Sequence, residues 1–436
     1  MKISYVGEKM KVDRYKIIIM LIFVIAILTR VVFINKTDIA TFQFDVGIQN
    51  DYNKIIDYEA LYENFDKDYN EGRHINYIMQ LYTYGSLPSK IIGQFYHPPL
   101  HHFIMAMNLK LMDVFTELAS FKFESMQYIT LIYSIIILIV LYKILEELKL
   151  DNKNKVLPML LFACYPLYIY FSGSINNDEL VTMFALICLL YLIKWKEDQS
   201  IKNTIIISSS IGLGLMTKTS MFVMLIPAIY VYFKVLMEYV RADKNVVKLL
   251  IELLVFVCIA SILGFWFQVR SYMNNLETLG IIEPYEYLSI GNKSIVERFC
   301  FVNPFTMSDV NIWNNLMYTS INFGILSINN VYMGIMIILL ITLVIDVLYY
   351  LFKEFEKNTI LMVTFFSWWA FYFLLNIQMP YTCSMHSRYM LVPISIATMI
   401  LSKGIESEKN KIIKTQVFIS TISICIMSLY LFLFII

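Results

Sequence analysis

Apolar stretches recur along the 436-residue chain, most of them near the about 20 residues that a helix needs to cross the hydrocarbon core of a bilayer and several shorter. Eleven such runs lie near residues 17–34, 126–147, 156–172, 179–195, 203–217, 219–239, 248–267, 331–352, 359–376, 389–402 and 415–436. The chain is 58% apolar and only 16% charged, against about 25% charged in ordinary soluble domains, so lipid is the expected solvent for most of it. The expected fold is all-α and polytopic, with interfacial helices in a first outer loop. A net charge of +1 makes no electrostatic case for nucleic acid, so any functional electrostatics must be local.

Lysine and arginine in short loops are retained on the cytoplasmic side of a membrane. Lys143, Lys149, Lys153 and Lys155 follow the second run, Lys194, Lys196 and Lys202 the fourth, and Lys234, Arg241, Lys244 and Lys248 the sixth. Lys353 and Lys357 follow the eighth, and Lys403, Lys409, Lys411 and Lys414 the tenth. With the N-terminus inside, strict alternation puts each cluster inside and the C-terminus outside. The first run follows five basic residues and lacks the small-residue cleavage pattern of a removable signal, so it reads as a retained anchor.

Alternation holds only if the apolar run from Pro98 to about Phe115 does not cross. Leu100, Phe103, Ile104, Met107 and Leu111 share one helical face, while Asn108, Lys110 and Asp113 break any lipid-facing pattern, which predicts an interfacial helix or a re-entrant hairpin. The chain then divides into an N-terminal module, residues 1–267, which includes a first outer loop at 35–125. A second outer loop at 268–330 and C-terminal helices at 331–436 follow. There is no internal repeat, which weighs against a transporter of two related halves.

All five histidines, His74, His97, His101, His102 and His386, fall outside on this map. So do Asn176-Asn177-Asp178-Glu179, Lys218, Arg270 and His386-Ser387-Arg388. An ionisable group near the bilayer centre costs about 2.5–3.5 kcal/mol on insertion scales, so such groups point to a site by default. Each also has a plainer role. Asp45 suits a solvated loop, and Asp178 with its asparagines suits a helix N-cap. Lys218 and Arg30 suit snorkelling, which is the expectation for Arg30. His101 and His102 are expected to face the interface, and His97 to shape the entry to a helix. Of the six cysteines only Cys300 and Cys383 fall in outer segments, which leaves a disulfide between them open.

Outer carboxylates with several cations suit group transfer from a lipid phosphate. The acceptor hydroxyl needs a carboxylate base, and the departing phosphate gathers charge that arginine and lysine stabilise. No HExxH spacing, Walker A loop or GxSxG is present; scattered Asp and His side chains leave a divalent cation open.

In order along the chain, Asp45, Gln94-Phe95-Tyr96-His97-Pro98-Pro99-Leu100-His101-His102, Ser174-Ile175-Asn176-Asn177-Asp178, Leu215-Met216-Thr217-Lys218, Arg270 and Arg388-Tyr389-Met390-Leu391-Val392-Pro393 resemble GT-C membrane glycosyltransferases. The group most resembled is that of the protein O-mannosyltransferases and lipid A aminoarabinose transferases. The resemblance implies an inverting enzyme that takes a sugar from a polyprenyl-phosphate donor and gives it to a protein or glycan acceptor outside the cytoplasm. It implies Asp45 as general base and Asp178 as the acid that orients acceptor or sugar. It implies phosphate contacts at Lys218, Arg270 and Arg388, and His97, Asn177 and His386 lining the site. The chain departs from the mannosyltransferase pattern in having Phe44-Asp45-Val46 where an Asp-Glu pair is common, and in lacking a large inserted lumenal domain. Two other classes compete: a transporter of lipid-linked glycans, disfavoured because the polar residues crowd one side, and a non-catalytic assembly protein with this fold.

Overall fold

A computed structural model describes residues 13–39, 74–89, 93–274, 289–300, 310–322, 328–353 and 358–435. Among these residues the regular structure is helical, with a single isolated bridge between Ser289 and Tyr381. In chain order the helices are α1 (Arg14–Lys36), α2 (His74–Tyr84), α3 (Leu100–Met112), α4 (Ala119–Glu147), α5 (Asn152–Cys164) and α6 (Pro166–Phe171). They continue with α7 (Asp178–Glu197), α8 (Ile201–Leu215), α9 (Leu225–Arg241), α10 (Val247–Gly264) and α11 (Trp266–Met273). Short α12 (Ile295–Phe299) and α13 (Ile312–Thr319) precede α14 (Asn330–Lys353), α15 (Thr359–Gln378), α16 (Leu391–Ser407) and α17 (Lys411–Tyr430).

Among the described residues, eight helical segments are long and apolar enough to cross a membrane by length and composition: 14–36, 119–147, 219–241, 247–264, 330–353, 359–378, 382–407 and 411–435. The other three of the eleven expected runs are helices of a different kind. Run 203–217 is the 15-residue α8, and run 179–195 is α7, which carries Asp178 and Glu179 in its first turn and Lys194 and Lys196 in its last. Run 156–172 is broken into α5 and α6. The cause is Pro166, which has no N–H to give the Phe162 carbonyl one turn earlier.

Arg30 fills that gap. Its Nη2 donates to the Phe162 carbonyl at 3.1 Å, its Nη1 to the Ala163 carbonyl at 2.8 Å, and its Nε to Ser134 at 3.0 Å. The side chain is 1% exposed, so the expected snorkelling is overturned. The acceptors left bare by the helix break hold the guanidinium inside the bundle.

Close approach sets the packing of α8 on α10. A Cβ on Gly212 would stand 2.6 Å from Leu263 Cβ, and one on Gly264 would stand 3.3 Å from Gly212 Cα. Small residues at such a crossing let two backbones meet without a hydrophobic drive from water.

The expected interfacial helix is α3. At 13 residues it is about 20 Å long, short of the hydrocarbon thickness. Phe103, Met107 and Leu111 lie on its exposed face. The opposite face is buried and carries His101 and His102, so the expectation that these two face the interface is overturned. Both are fully enclosed.

The bundle has two chemically distinct ends. At one, Asn152 Nδ2 of α5 donates to Asp13 beside the start of α1, and Lys353 pairs with Glu408 at 2.7 Å. At the other, Gly173 packs against Phe33 and Ile34 near the end of α1, and α7 begins with Asp178. Cys300 and Cys383 are both free thiols, so no disulfide joins the outer segments there.

Candidate functional site

The loop before α7 separates capping from pairing. Asn176 Oδ1 accepts the Asp178 N–H at 2.9 Å and so satisfies a donor that a helix start leaves open. The Asp178 carboxylate is then free for partners outside its own helix. Lys218 Nζ approaches Oδ1 at 2.5 Å, and Arg388 Nε lies 4.0 Å from Oδ2. All three side chains are nearly enclosed, at 4%, 7% and 8% exposure for Asp178, Lys218 and Arg388. Tyr389 stands beside both cations, its ring centroid 4.6 Å from Lys218 Nζ and 5.2 Å from the Arg388 guanidinium carbon.

Backbone contacts fix these positions. Where α8 ends, the Lys218 N–H donates back to the Gly214 carbonyl at 2.8 Å, and Lys218 itself is extended, which turns its ammonium towards α7. Asn177 Nδ2 donates to the Thr217 carbonyl at 3.2 Å, tying the two loops together, while Asn177 Oδ1 is buried with no hydrogen-bond partner among the described residues. Pro98 and Pro99 offer no N–H, so the first donor after His97 is Leu100, and it bonds to the Met216 carbonyl at 2.9 Å. The His97-Pro98-Pro99-Leu100 box is thereby pinned to the segment that carries Lys218.

Arg388 sits on a tight turn, Ser387–Met390, held from two sides. The Ser387 N–H donates to Thr319 Oγ1 of α13 at 3.0 Å. From α15, the Tyr372 hydroxyl donates to the Met385 carbonyl at 2.6 Å and Asn376 Nδ2 to the Ser384 carbonyl at 3.1 Å. His386 is partly buried just before this turn.

His97 joins this group to a second one. Its ring is 3% exposed, lies 4.0 Å from the Tyr96 ring, and stacks on His74 at 5.7 Å with the planes 4° apart. Burial holds its basicity well below the ordinary imidazole range, and Lys218, His74 and Arg388 push the same way. Tyr96 is held well above the ordinary phenol range, first by burial and then by Tyr389. Beyond His97 the rings continue. His74 Nδ1 and His102 Nε2 are 2.8 Å apart, His101 meets His102 edge-on at 5.4 Å, and Tyr77 stacks on His102 at 4.1 Å. Burial likewise holds His101 and His102 well below the ordinary range, with His74 adding to it. Among the described residues no group of three or more His, Cys, Asp or Glu is arranged to hold a metal ion.

The structure therefore brings Asp178, Lys218, Arg388, Asn177 and His97 to one place, with His386 close along the chain. Arg270 faces elsewhere: its Nη2 donates to the Pro88 carbonyl at 3.1 Å, on the Tyr77 side of the histidines. Asp45 lies outside the described residues. Sequence reasoning left Tyr389 without a role, although it adjoins Arg388 in the motif that was singled out. It also left Glu179 unassigned. Glu179 is fully buried and faces Arg30, on a different side of α7 from Asp178.

Residues 96–266 match the profile of a family described as dolichyl-phosphate-mannose-protein mannosyltransferase. That segment holds the His97 box, Asn176-Asn177-Asp178 and Lys218, and the match supports the resemblance to GT-C membrane glycosyltransferases. His386, Arg388 and Asp45 lie beyond it. No curated protein matches the chain. Among solved structures, the chain is similar to the oligosaccharyltransferase of Archaeoglobus fulgidus in the apo form, at 13% identity and a TM-score of 0.47. The alignment covers 96% of this chain and 56% of that one, so this chain spans little more than half the length of that protein.

Proposed function

We propose that the chain is an inverting glycosyltransferase that moves one sugar from a polyprenyl-phosphate donor to a protein or glycan acceptor on the non-cytoplasmic face. The observation that carries this reading is the buried Asp178 carboxylate held between Lys218 and Arg388, with Tyr96, His97 and Tyr389 beside them, at the bundle end opposite the lysine-rich loops.

In the reaction the acceptor oxygen bonds to the anomeric carbon as the bond from that carbon to the phosphate oxygen breaks. The acceptor proton goes to a carboxylate and the phosphate leaves with added negative charge. Asp178 has its oxygens engaged by two cations, which suits it to hold them in place rather than to take the proton. The base is assigned to Asp45. Lys218 and Arg388 meet the departing phosphate, Lys218 as a point charge and Arg388 through its planar fork. His97 and Asn177 line the sugar's side, where the buried Asn177 Oδ1 offers an acceptor for a hydroxyl. Arg270, held on the Pro88 carbonyl away from Asp178, is left out of this set of phosphate contacts.

The test is sugar transfer by purified protein in detergent, where no gradient exists to drive transport, with a radiolabelled polyprenyl-phosphate hexose. Transfer that disappears in Asp45→Asn and survives in a surface control supports the assignment. Turnover near the wild-type rate with Asp45→Asn at normal abundance removes Asp45 as base, and no transfer by wild type with any polyprenyl-phosphate sugar removes the enzymatic reading.

A further inference from the structure

At the lysine-rich end, far from Asp178, a cavity of about 470 Å³ opens between α1, α5, α16 and α17. Its walls are largely apolar, with Ile18, Leu157 and Phe418 among them, and Ile18 and Phe418 are exposed on the lipid-facing surface of their helices. Its polar lining is mostly spent inside the protein. The Asn154 side chain donates to Glu406 at 3.1 Å, and Ser402 Oγ donates to the Asn154 carbonyl at 2.9 Å. Two lysines, Lys153 and Lys414, stand at the rim. Lys403 is paired with Glu406, Lys353 with Glu408, and Lys155 with the Asn152 side chain and the Tyr142 ring. Lys153 and Lys414 are in no ion pair among the described residues.

We infer that this crevice is a binding site for one anionic glycerophospholipid. Its phosphate sits between Lys153 and Lys414, and one acyl chain runs along Ile18, Leu157 and Phe418. Three observations converge on that occupant. The wall is apolar and opens towards lipid, so a soluble anion would leave it empty. Two ammonium groups in no ion pair among the described residues stand at its rim, and basic pockets between spanning helices on the lysine-rich side suit such headgroups. Tyr15, also at the rim, has the amphipathic ring that favours this layer. The bound lipid would join α1 and α5 to α16 and α17. It would thereby brace from below the two elements whose far ends carry Arg30 and follow Arg388. The inference is independent of the proposed reaction.

Native mass spectrometry of the purified full chain, titrated with phosphatidylglycerol or with phosphatidylcholine of the same acyl chains, tests it. A basic residue near the surface contributes roughly fivefold, so the pair gives about a thirtyfold preference for phosphatidylglycerol. Lys153→Gln with Lys414→Gln removes that preference, while Lys234→Gln with Lys244→Gln, at the same end but away from the cavity, keeps it. Leu157→Trp keeps both charges and fills the cavity, and it too lowers phosphatidylglycerol retention. Equal retention of the two lipids by wild type overturns the inference. So does a preference unchanged by the Lys153 and Lys414 pair, or displacement of the lipid by inorganic phosphate alone.

Discussion

The Asp178 group and the histidine group share His97 as a wall, yet they handle burial in opposite ways. Around Asp178 every charge is retained and met by another: a carboxylate, an ammonium and a guanidinium lie within 4.0 Å, with a tyrosine ring beside both cations. Around His102 burial works against charge, holding His97, His101 and His102 below the ordinary imidazole range. His97, His74, His102 and Tyr77 stack in turn with His101 edge-on to them, and both His101 nitrogens are buried with no hydrogen-bond partner among the described residues. A buried ion pair adds little stability compared with apolar packing, because desolvation offsets the Coulomb gain. Its retention here points to chemistry. A wall of rings in which burial works against proton uptake at His97, His101 and His102 is instead a rigid surface.

The sharpest way to break this contrast is Asp178→Asn. It leaves the Lys218 ammonium buried and unpaired, which costs about 3–5 kcal/mol of stability, and transfer should fall at least about a hundredfold. Combining it with Lys218→Met should recover most of the stability, read by thermal unfolding in detergent, and none of the activity. Recovery of both would make the pair structural. Arg388→Lys keeps the charge but loses the planar fork, so kcat should drop about tenfold or more with KM little changed. A rise in KM alone would move Arg388 from the departing phosphate to ground-state binding.

Acid should act on the other region. His97, His101 and His102 are all held below the ordinary imidazole value of 6.5. Below that value the unfolded chain binds protons that the folded chain refuses, so stability is level above about pH 6.5 and declines as the pH falls. Unfolding temperature measured from pH 7.5 to 5.0 should show the decline. His101→Phe combined with His102→Phe should flatten it. The smallest effect belongs to His101→Phe alone. Exchanging two unpartnered ring nitrogens for an apolar ring of similar shape should change stability by about 1 kcal/mol or less, in either direction. It should leave transfer near wild type. A large loss of transfer would show that the histidine group takes part in the reaction.

Much of the fold was legible because apolar length is a property of the chain itself. The helices appear where the runs are, and the short helix after Pro99 is too short to span. What the sequence could not show was which faces meet. His101 and His102 read as interfacial because α3 carries a second, apolar face that is the exposed one, and their partner His74 sits on another helix. Arg30 read as a snorkelling residue because the carbonyls it serves are bared by Pro166, more than a hundred positions away. Asp178 and Lys218 were both singled out by type, but their pairing across 40 positions is a product of the turn at the end of α8.

The Leu100 N–H to Met216 carbonyl bond has a consequence for how such a site can change over time. It joins the histidine box to the lysine loop through main-chain atoms, so it asks nothing of the side chains at either end except that proline precede and not occupy position 100. Around such a strut the residues that recognise a sugar or an acceptor can be exchanged one at a time while the distance between the two loops stays put. Specificity would then drift in the side chains, and the register of the candidate site would be inherited through the backbone.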